Sequence, residues 1–378
     1  MLDIVSRLPA ESVLECKLVC KRWRDLVRDP SLAQMHLNHL NDSSGKLSCI
    51  FFTYDLGIIE FYYSEYDENC HDEAPFHRTT RLNLKPPFLD YSFVGSCNGL
   101  ICFNAWVEQK IGVWSYGPAY ICNPITSEYI ILPKIDQQFR WTGFGYIPET
   151  NEYKVVRIYI PEKRLDGEAI GIGVVQVYTL GSTACGWRNV GTTDINMQRF
   201  SYCAAVFANG ALYWEEHHGT TILGFHLADE KIIQLPAPPP YLTRTNASYF
   251  SIKFGVLGDL LSVTHEDGGD CDIWLLKKNE DNDDFNWIKQ FSLNGEISRP
   301  FEFTKSGRLL CYGNSRIYYS YDPKVSSAKI DISFGKSICE AIPHKNTLVS
   351  LKELGENDTK TIEFVEIISS SEETVNGD

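Results

Sequence analysis

At 378 residues, the chain is long enough for a small module and a large domain with a core of its own. Hydrophobic residues make up 43% of it and aromatic residues 13%, which indicates a folded, aromatic-rich protein with a high β content. The formal net charge of −14 argues against nucleic acid or an anionic membrane as the partner, because both repel an acidic surface.

The sequence shows no secretory signal and no apolar run long enough to span a bilayer. Its 12 cysteines are scattered without a C-x-x-C pair, and without a secretory route they are expected to be reduced and buried. We therefore expect an intracellular protein, in the cytoplasm, the nucleus or both, that requires no cofactor.

Short helices are the first predicted elements. The pair Leu8-Pro9 ends one helix, and Asp29-Pro30 offers an N-cap and a first-turn proline to another. A wide apolar stripe at helical spacing lies between them: Val19, Trp23, Leu26 and Val27. Three short helices make too small a core to bury this stripe, so it either covers one end of a larger domain or meets a partner.

This segment resembles the F-box, whose hallmark is a Leu-Pro pair followed by a Val-Cys-Lys-x-Trp run, here Leu8-Pro9 and residues 19–23. An F-box normally begins further upstream, so its first helix is expected to be shortened here. The resemblance implies that a head of residues 1–40 binds a Skp-family adaptor and, through it, cullin and RING subunits. The adaptor-binding side chains it implies are Leu8, Pro9, Leu18, Val19, Cys20 and Trp23.

Basic residues cluster on the same helices: Lys17, Lys21, Arg22, Arg24 and Arg28. The cluster is too short to serve as a nucleic-acid platform. On an acidic chain it either forms a solvated helix surface or suits an acidic protein partner.

The hydrophobic period changes to two after the polar stretch at 41–45. Strand-like runs follow, each closed by turn residues, at 47–54, 58–63, 99–103, 119–122, 129–132, 153–160, 174–180, 204–207, 211–214, 222–227, 231–235, 260–264, 272–276, 309–312, 317–321 and 347–351. Helical periodicity does not return.

A loose internal repeat of roughly 50 residues runs beneath these strands. Its units open with a small-residue turn before an apolar strand, as at Asn98-Gly99, Asn209-Gly210, Gly258-Asp259 and Ser306-Gly307. Blades of a β-propeller have this length, and they stack because none can bury both faces alone. The rival is a two-sheet sandwich, which does not call for such a repeat. The predicted fold is mainly β, with a short helical head before a propeller.

These residues also resemble the F-box-associated domain of plant F-box proteins, including the S-locus F-box-like group. The resemblance rests on Gly95-Ser96-Cys97-Asn98-Gly99-Leu100, Asn123-Pro124-Ile125-Thr126, Gly143-Phe144-Gly145-Tyr146, Asn151-Glu152-Tyr153-Lys154-Val155-Val156 and Asn209-Gly210-Ala211-Leu212-Tyr213-Trp214. It implies kelch-like blades over residues 41–365 in a non-catalytic substrate receptor of an SCF-type ubiquitin ligase. The composition of 366–378 indicates an acidic, flexible tail.

No motif supports catalysis or metal binding. Adjacent His217 and His218 cannot easily ligate one ion from a strand, because successive side chains point to opposite faces. The acidic run 281–284 lacks the glycine and glutamate of an EF-hand, and Gly171-Ile172-Gly173 does not continue as a dinucleotide loop. The alternative function is a propeller enzyme or small-ligand sensor with a helical cap, since propellers can assemble sites from distant residues.

Loops with aromatic or charged residues are the predicted contacts to a protein substrate. They are Phe139-Arg140-Trp141, the run 215–218 and Pro238-Pro239-Pro240-Tyr241. The residues singled out are Arg140, Trp141, His217 and Tyr241, and Arg140 with Trp141 is the preferred pair because both residue types are enriched in interface hot spots. The alternative is that these segments are solvated turns, or a stiff connector in the case of the prolines.

Overall fold

A computed structural model describes residues 1–42, 46–55, 58–69, 76–84, 86–88, 90–110, 113–134, 139–161, 171–182, 186–200, 204–216, 221–239, 252–267, 270–279, 285–294, 299–313, 317–322, 327–333 and 336–362. The tail predicted at 366–378 lies outside these described residues. Within them, no helix has both the length and the apolar character needed to cross a membrane.

Four short helices form the N-terminal head: α1 (Leu2–Val5), α2 (Ala10–Cys16), α3 (Lys21–Val27) and α4 (Pro30–Asp42). Pro9 occupies the N-cap of α2, as the Leu-Pro break predicts. Asp29 precedes α4, and its carboxylate accepts hydrogen bonds from the hydroxyl and the backbone N–H of Ser31, which lower the pKa of Asp29. One prediction is wrong: α2 ends at Cys16, so Leu18 and Val19 lie in a turn and not on a helix.

Strands make up most of the remaining described chain. They are β1 (Lys46–Asp55), β2 (Ile58–Asp67), β3 (Phe76–Leu82), β4 (Tyr91–Cys97), β5 (Leu100–Lys110), β6 (Val113–Asn123), β7 (Glu128–Ile131), β8 (Phe139–Ile147), β9 (Glu152–Tyr159), β10 (Ile172–Thr179), β11 (Arg188–Asn196), β12 (Val206–Ala208), β13 (Ala211–Glu215), β14 (Thr221–His226), β15 (Lys231–Pro236), β16 (Ile252–Leu257), β17 (Leu260–Asp267), β18 (Asp270–Lys278), β19 (Phe285–Asn294), β20 (Arg299–Phe303), β21 (Leu309–Tyr312), β22 (Ile317–Asp322), β23 (Ser327–Ser333), β24 (Ser337–Pro343) and β25 (Lys360–Thr361).

The strands form six four-stranded antiparallel blades. Blade 1 has the order β24-β1-β2-β3, and blades 2 to 6 each take four consecutive strands: β4–β7, β8–β11, β12–β15, β16–β19 and β20–β23. A bridge between Tyr116 and Phe139 joins blades 2 and 3 into one sheet, and the short β25 pairs with β7 at its edge.

The blades surround a central axis. The first strands of the blades lie next to one another in the order β4, β8, β12, β16, β20 and β24. β24 belongs to blade 1, where it pairs with β1, so the C-terminal part of the propeller closes the ring on its first blade. The prediction of a propeller is therefore confirmed, the sandwich is excluded, and the number of blades is six.

Apolar side chains fill the space between neighbouring blades. Between blades 1 and 2, Phe61 and Phe103 meet edge to face with ring centroids 5.7 Å apart. Between blades 2 and 3, Leu100, Phe144 and Val155 belong to one buried cluster. Each fully buried side chain of this size contributes about 1.5–3 kcal/mol, so the ring is held mainly by contacts between blades.

The connections of the blades define two faces of the ring. Turns after the first and third strand of each blade lie on one face, and connections after the second and fourth strand lie on the other, because consecutive antiparallel strands reverse direction. The predicted Asn98-Gly99 turn has two residues with positive φ, 48° and 84°, which asparagine and glycine adopt readily. It lies on the face that carries the head, which we call the head face. The other is the hairpin face.

Residues 344–362, which follow β24, form a strap over the head face. The strand predicted at 347–351 is wrong, because these five residues pair with no strand of the described chain. Instead, the side-chain amide of Asn123 donates hydrogen bonds to the carbonyls of Thr347 and Val349 at 3.1 and 2.8 Å. Side chains of blade 2 thus replace the ladder that a strand would need.

Candidate functional site

The head has a small core of its own. Val5, Ala10, Val13 and Leu32 are buried, and Trp23 packs against them while remaining half-buried. His36 supports this core through a 3.0 Å contact between its Nε2 and the carbonyl of Leu8. Trp23 therefore supports the head from within, and its contact with an adaptor stays a prediction.

Five large apolar residues of the head are nevertheless exposed: Met1, Ile4, Leu8, Leu18 and Val19. We call them the apolar head residues. Leu18 is 84% exposed and Val19 67%, although leucine and valine are among the residues most often buried in folded proteins. Three of the five, Leu8, Leu18 and Val19, were predicted as adaptor contacts. Pro9 and Cys20, also predicted, are exposed as well. Met1 and Ile4 were missed, because a four-residue helix gives no periodic signal.

The basic residues of the helices stay available to a partner. Lys21, Arg22, Arg24 and Arg28 are exposed, and none of them has a carboxylate within salt-bridge distance among the described residues. Positive charge beside exposed apolar side chains favours a partner surface with an acidic rim, since complementary charge raises the association rate.

The head rests on the strap and on blade 2. Leu348 of the strap is buried in the head core, and Ile125, in the turn between β6 and β7, packs against the same cluster. Two residues just before Leu348 make polar contacts with the head: the Asn346 side-chain amide donates to a Glu11 carboxylate oxygen, and Lys345 Nζ donates to Asn41 Oδ1 at 2.7 Å.

Blades 2 and 3 hold the strap in place. The Glu128 carboxylate accepts hydrogen bonds from the Ser350 hydroxyl at 2.9 Å and from the Leu351 backbone N–H at 2.7 Å. Further along, the Glu356 carboxylate accepts from the Gly181 backbone N–H at 2.8 Å and from the Tyr178 hydroxyl. These contacts join residues more than 170 positions apart, so sequence patterns could not show that the strap anchors the head.

The described strand ends that flank the loops predicted to contact a substrate lie on the hairpin face, opposite the head. β8 begins on this face because it follows β7, the fourth strand of blade 2. The connection between β13 and β14, the second and third strands of blade 4, belongs to the same face, and β15, the fourth strand of blade 4, ends there. The exposed aromatic expected at Trp141 is wrong: Trp141 lies within β8, and its side chain is 1% exposed in the core between blades 3 and 4. The side chain of Arg140, and His217, His218 and Tyr241, lie outside the described residues.

One pair of side chains bears on an enzymatic function. Ser96 Oγ lies 3.0 Å from His344 Nδ1, the spacing of a nucleophile and its base. Burial, however, lowers the pKa of His344 to about 3, far below the range that suits a general base at neutral pH. His344 is also 3% exposed, and its Nε2 has no hydrogen-bond partner among the described residues. The pair therefore serves packing of the strap.

Most described cysteines are buried as expected, but Cys20 and Cys339 are exposed. Two of the buried thiols are unsuited to nucleophilic chemistry. Burial raises the pKa of Cys97 and of Cys122 to about 12, so both thiols stay protonated and weakly nucleophilic at neutral pH. Among the described residues, no group of three or more His, Cys, Asp or Glu side chains is placed to hold a metal ion.

Two family models match the chain, and they divide it where the fold does. An F-box-like model matches residues 1–36, which correspond to the head. The model of the F-box associated beta propeller domain matches residues 42–312, from the end of α4 to blade 6.

Relatives from Arabidopsis thaliana match most of the chain. The F-box protein At3g07870 is 26% identical over 86% of this chain and 85% of its own length. The F-box/kelch-repeat protein At3g23880 is 23% identical over 87% of this chain and 91% of its own length, and the F-box protein At3g49450 is 28% identical over 73% and 68%. The chain therefore belongs to the family of F-box proteins that carry an F-box associated β-propeller domain.

Proposed function

We propose that the protein is the substrate-recognition subunit of an SCF-type cullin–RING ubiquitin ligase. The head binds a Skp-family adaptor, which connects it to the cullin and RING subunits, and the propeller holds a protein substrate. The observation that carries this proposal is the exposure of the five apolar head residues on a module whose family is the F-box. Such side chains gain free energy when a partner covers them.

The chain itself performs no chemistry in this proposal. It raises the effective concentration of substrate lysines near the ubiquitin-charged enzyme. We propose the cytoplasm, the nucleus or both as its location.

The strap supports such a role because it ties the two binding parts together. Leu348 is shared with the head core, while Glu128 and Glu356 tie the same segment to blades 2 and 3. A head fixed in this way holds the adaptor and the propeller at a constant distance, which lowers the entropic cost of bringing a substrate lysine to the transfer site.

The adaptor can be tested with purified proteins. Leu18→Asp combined with Val19→Asp places two charges at the exposed turn between α2 and α3, where both native side chains are largely solvated. Folding should therefore change little, while the dissociation constant for a Skp-family adaptor should rise about tenfold or more. Trp23→Ala is a poorer choice because Trp23 also packs in the head core.

Ile288→Asp is the control, since Ile288 is an exposed apolar residue on blade 5, away from the head. It should bind the adaptor like the unmodified protein. If calorimetry shows the same adaptor affinity for the doubly substituted head and the control, with both proteins folded by circular dichroism, the proposed adaptor surface is refuted.

A further inference from the structure

Four polar side chains lie buried between blades 2 and 3. They are Ser92 and Asn104 of blade 2 and Thr142 and Arg157 of blade 3, and we call them the polar layer. Asn104 is fully buried, and Thr142 and Arg157 are 1% and 2% exposed. Polar groups at such depth need hydrogen-bond partners, because they have given up their contacts with water.

Strand pairing turns Ser92 and Asn104 toward blade 3. The two residues pair with each other, one position from the pair Phe93–Phe103, whose rings belong to the core between blades 1 and 2. Because side chains alternate along a strand, Ser92 and Asn104 point the opposite way. Ala119, which pairs with Asn104 on its other side, lies in the core between blades 2 and 3 and confirms this orientation.

Thr142 and Arg157 point toward blade 2 by the same rule. They pair with each other, and their neighbours along β8 and β9, Trp141 and Val156, belong to the core between blades 3 and 4. Phe144, two residues beyond Thr142, lies in the core between blades 2 and 3. The side chains of the polar layer therefore face one another across the two blades.

The two halves of the polar layer lie at the same height in the ring. β4 and β8 run side by side, and they approach closely where a Cβ atom at Gly95 would lie 3.3 Å from the carbonyl oxygen of Phe144. Thr142 precedes Phe144 by two residues, and Ser92 precedes Gly95 by three because a bulge adds one residue to β4. Both hydroxyl side chains therefore lie one step toward the hairpin face from this contact.

Hydrogen bonds within blade 3 satisfy the outer part of this interface. Arg157 donates to Gln176 Oε1 from Nε and Nη2, at 3.1 and 3.0 Å, and the Gln176 side-chain amide donates to Asn189 Oδ1 at 2.6 Å. The Arg157 guanidinium also lies 3.6 Å from the centre of the Trp187 ring. Burial lowers the pKa of Arg157 to about 9, so its positive charge is costly at this depth and favours a nearby anion.

The inner part of the interface has polar atoms that the protein leaves unpaired. Ser92 Oγ, Thr142 Oγ1 and both polar atoms of the Asn104 side chain, Oδ1 and Nδ2, are buried without a hydrogen-bond partner among the described residues. An unpaired buried polar atom destabilises a fold, and four of them in three neighbouring side chains are unusual. They indicate a place where another molecule supplies the hydrogen bonds.

Aromatic layers bound this place on two sides. Toward the hairpin face, the next side chains are Tyr116 and Tyr159, which share a buried cluster, and Trp106, whose ring lies 4.7 Å from that of Tyr116. Toward the head face, the next side chain is that of Phe144. The short side chains of the inner strands β4 and β8 lie between these layers and beside the axis of the ring. A molecule bound there is therefore small and reaches the site from the axis.

We infer that the polar layer binds a small oxyanion that also carries a hydroxyl group, such as hydrogen phosphate or a short hydroxy acid. The hydroxyls of Ser92 and Thr142 and the amide N–H of Asn104 donate to the oxygens of the anion, beside the charge of the Arg157 guanidinium. The hydroxyl of the anion donates to Asn104 Oδ1. This site goes beyond the proposed function and does not depend on it.

Isothermal titration calorimetry on the full chain tests the site with two matched pairs of anions. Phosphate and glycolate carry an O–H group at neutral pH, whereas sulfate and acetate do not. Phosphate should bind about tenfold or more tightly than sulfate, or glycolate than acetate, because an anion without O–H leaves Asn104 Oδ1 unpaired. The pair that shows the preference identifies the ligand as a phosphate or a hydroxy acid.

Thr142→Val removes one hydroxyl of the polar layer and keeps the shape of the side chain. It should weaken binding of the preferred anion about tenfold or more. It should not lower the thermal stability of the free protein, because this hydroxyl makes no hydrogen bond to the described chain. Thr53→Val is the matched control, since Thr53 is equally buried on blade 1, and it should bind the anion like the natural protein.

Three outcomes overturn the inference. The first is the absence of binding by phosphate and by glycolate, in calorimetry and in thermal unfolding, which leaves water as the partner of the polar layer. The second is equal binding within both pairs of anions, which indicates an adventitious ion only. The third is equal binding by Thr142→Val and Thr53→Val, which places the anion elsewhere. Adaptor binding, measured on the same preparations, is independent of all three.

Discussion

His344, the first residue of the strap, makes the fold sensitive to acid. Its imidazole is buried, with Nδ1 3.0 Å from Ser96 Oγ. Its backbone N–H donates to the Ser48 carbonyl at 2.9 Å, and its carbonyl accepts from the Ser48 hydroxyl. Burial lowers the pKa of His344 from 6.5 to about 3, because the charged form loses its hydration.

The sign of the effect follows from proton counts. Between pH 6.5 and 3, the unfolded chain holds one more proton at this site than the folded chain, so acidification favours unfolding. The free energy of unfolding should fall by about 1.4 kcal/mol for each pH unit in this window, or about 2 kcal/mol between pH 6.5 and 5. Above pH 6.5 the site makes no contribution to the pH dependence.

Urea unfolding of the natural protein and of His344→Asn, followed at several pH values, measures this difference. Asparagine keeps a polar group near Ser96 but does not titrate. Burial also raises the pKa of Glu340 from 4.5 to about 7, so this carboxyl lowers the free energy of unfolding as pH rises from 4.5 to 7. Both proteins share Glu340, so its contribution cancels in the comparison. Parallel stability curves for the two proteins from pH 7 to 5 would show that His344 is not a buried, neutral imidazole.

Two further predictions concern contacts away from the binding surfaces. Leu348→Ala should cost about 2–5 kcal/mol because it leaves a cavity in the head core, and limited proteolysis should then cut the head faster while the propeller persists. Glu230→Gln should cost about 3 kcal/mol in thermal unfolding, because it leaves the ammonium of Lys154, buried between blades 3 and 4, without its 2.9 Å partner. Lys154→Met should cost less, since Glu230 keeps its pair with Arg188. Equal losses for these last two variants would contradict the reasoning.

Sequence patterns predicted the turns and strands that depend only on residues close to one another along the chain. The Asn98-Gly99 and Asn209-Gly210 turns form where expected, since positive φ is a local property. Strands with alternating or continuous apolar residues, such as β13 and β17, were also predicted. The outer strands β7 and β15 were predicted, but the outer strand β11 was missed: it reads Arg188-Asn189-Val190-Gly191-Thr192 at its start, and because one side faces solvent it carries few apolar residues.

Contacts between distant residues could not be predicted. Trp141 is the clearest case, because its neighbour Arg140 indicated an exposed loop. The residues lie in β8, where period-two alternation turns the Trp141 side chain toward Val156 and Ile158. The exposed tryptophan of the same region is Trp106, on a strand that the sequence pattern ended at residue 103. Its exposure depends on where β4 stops pairing with β5, which is a property of the assembled blade.

Blade 2 connects the head to the hairpin face of the ring. Its strands β5 and β6 run from the head face to the hairpin face: β6 ends next to the turn that contacts the head through Ile125, and β5 carries Trp106 near its other end. Asn123, at the end of β6, also holds the strap that fixes the head. Because these strands are buried and paired along most of their length, they cannot bend without breaking contacts with blades 1 and 3. The head and the hairpin face are therefore joined by one rigid sheet, which keeps a fixed distance between them at blade 2.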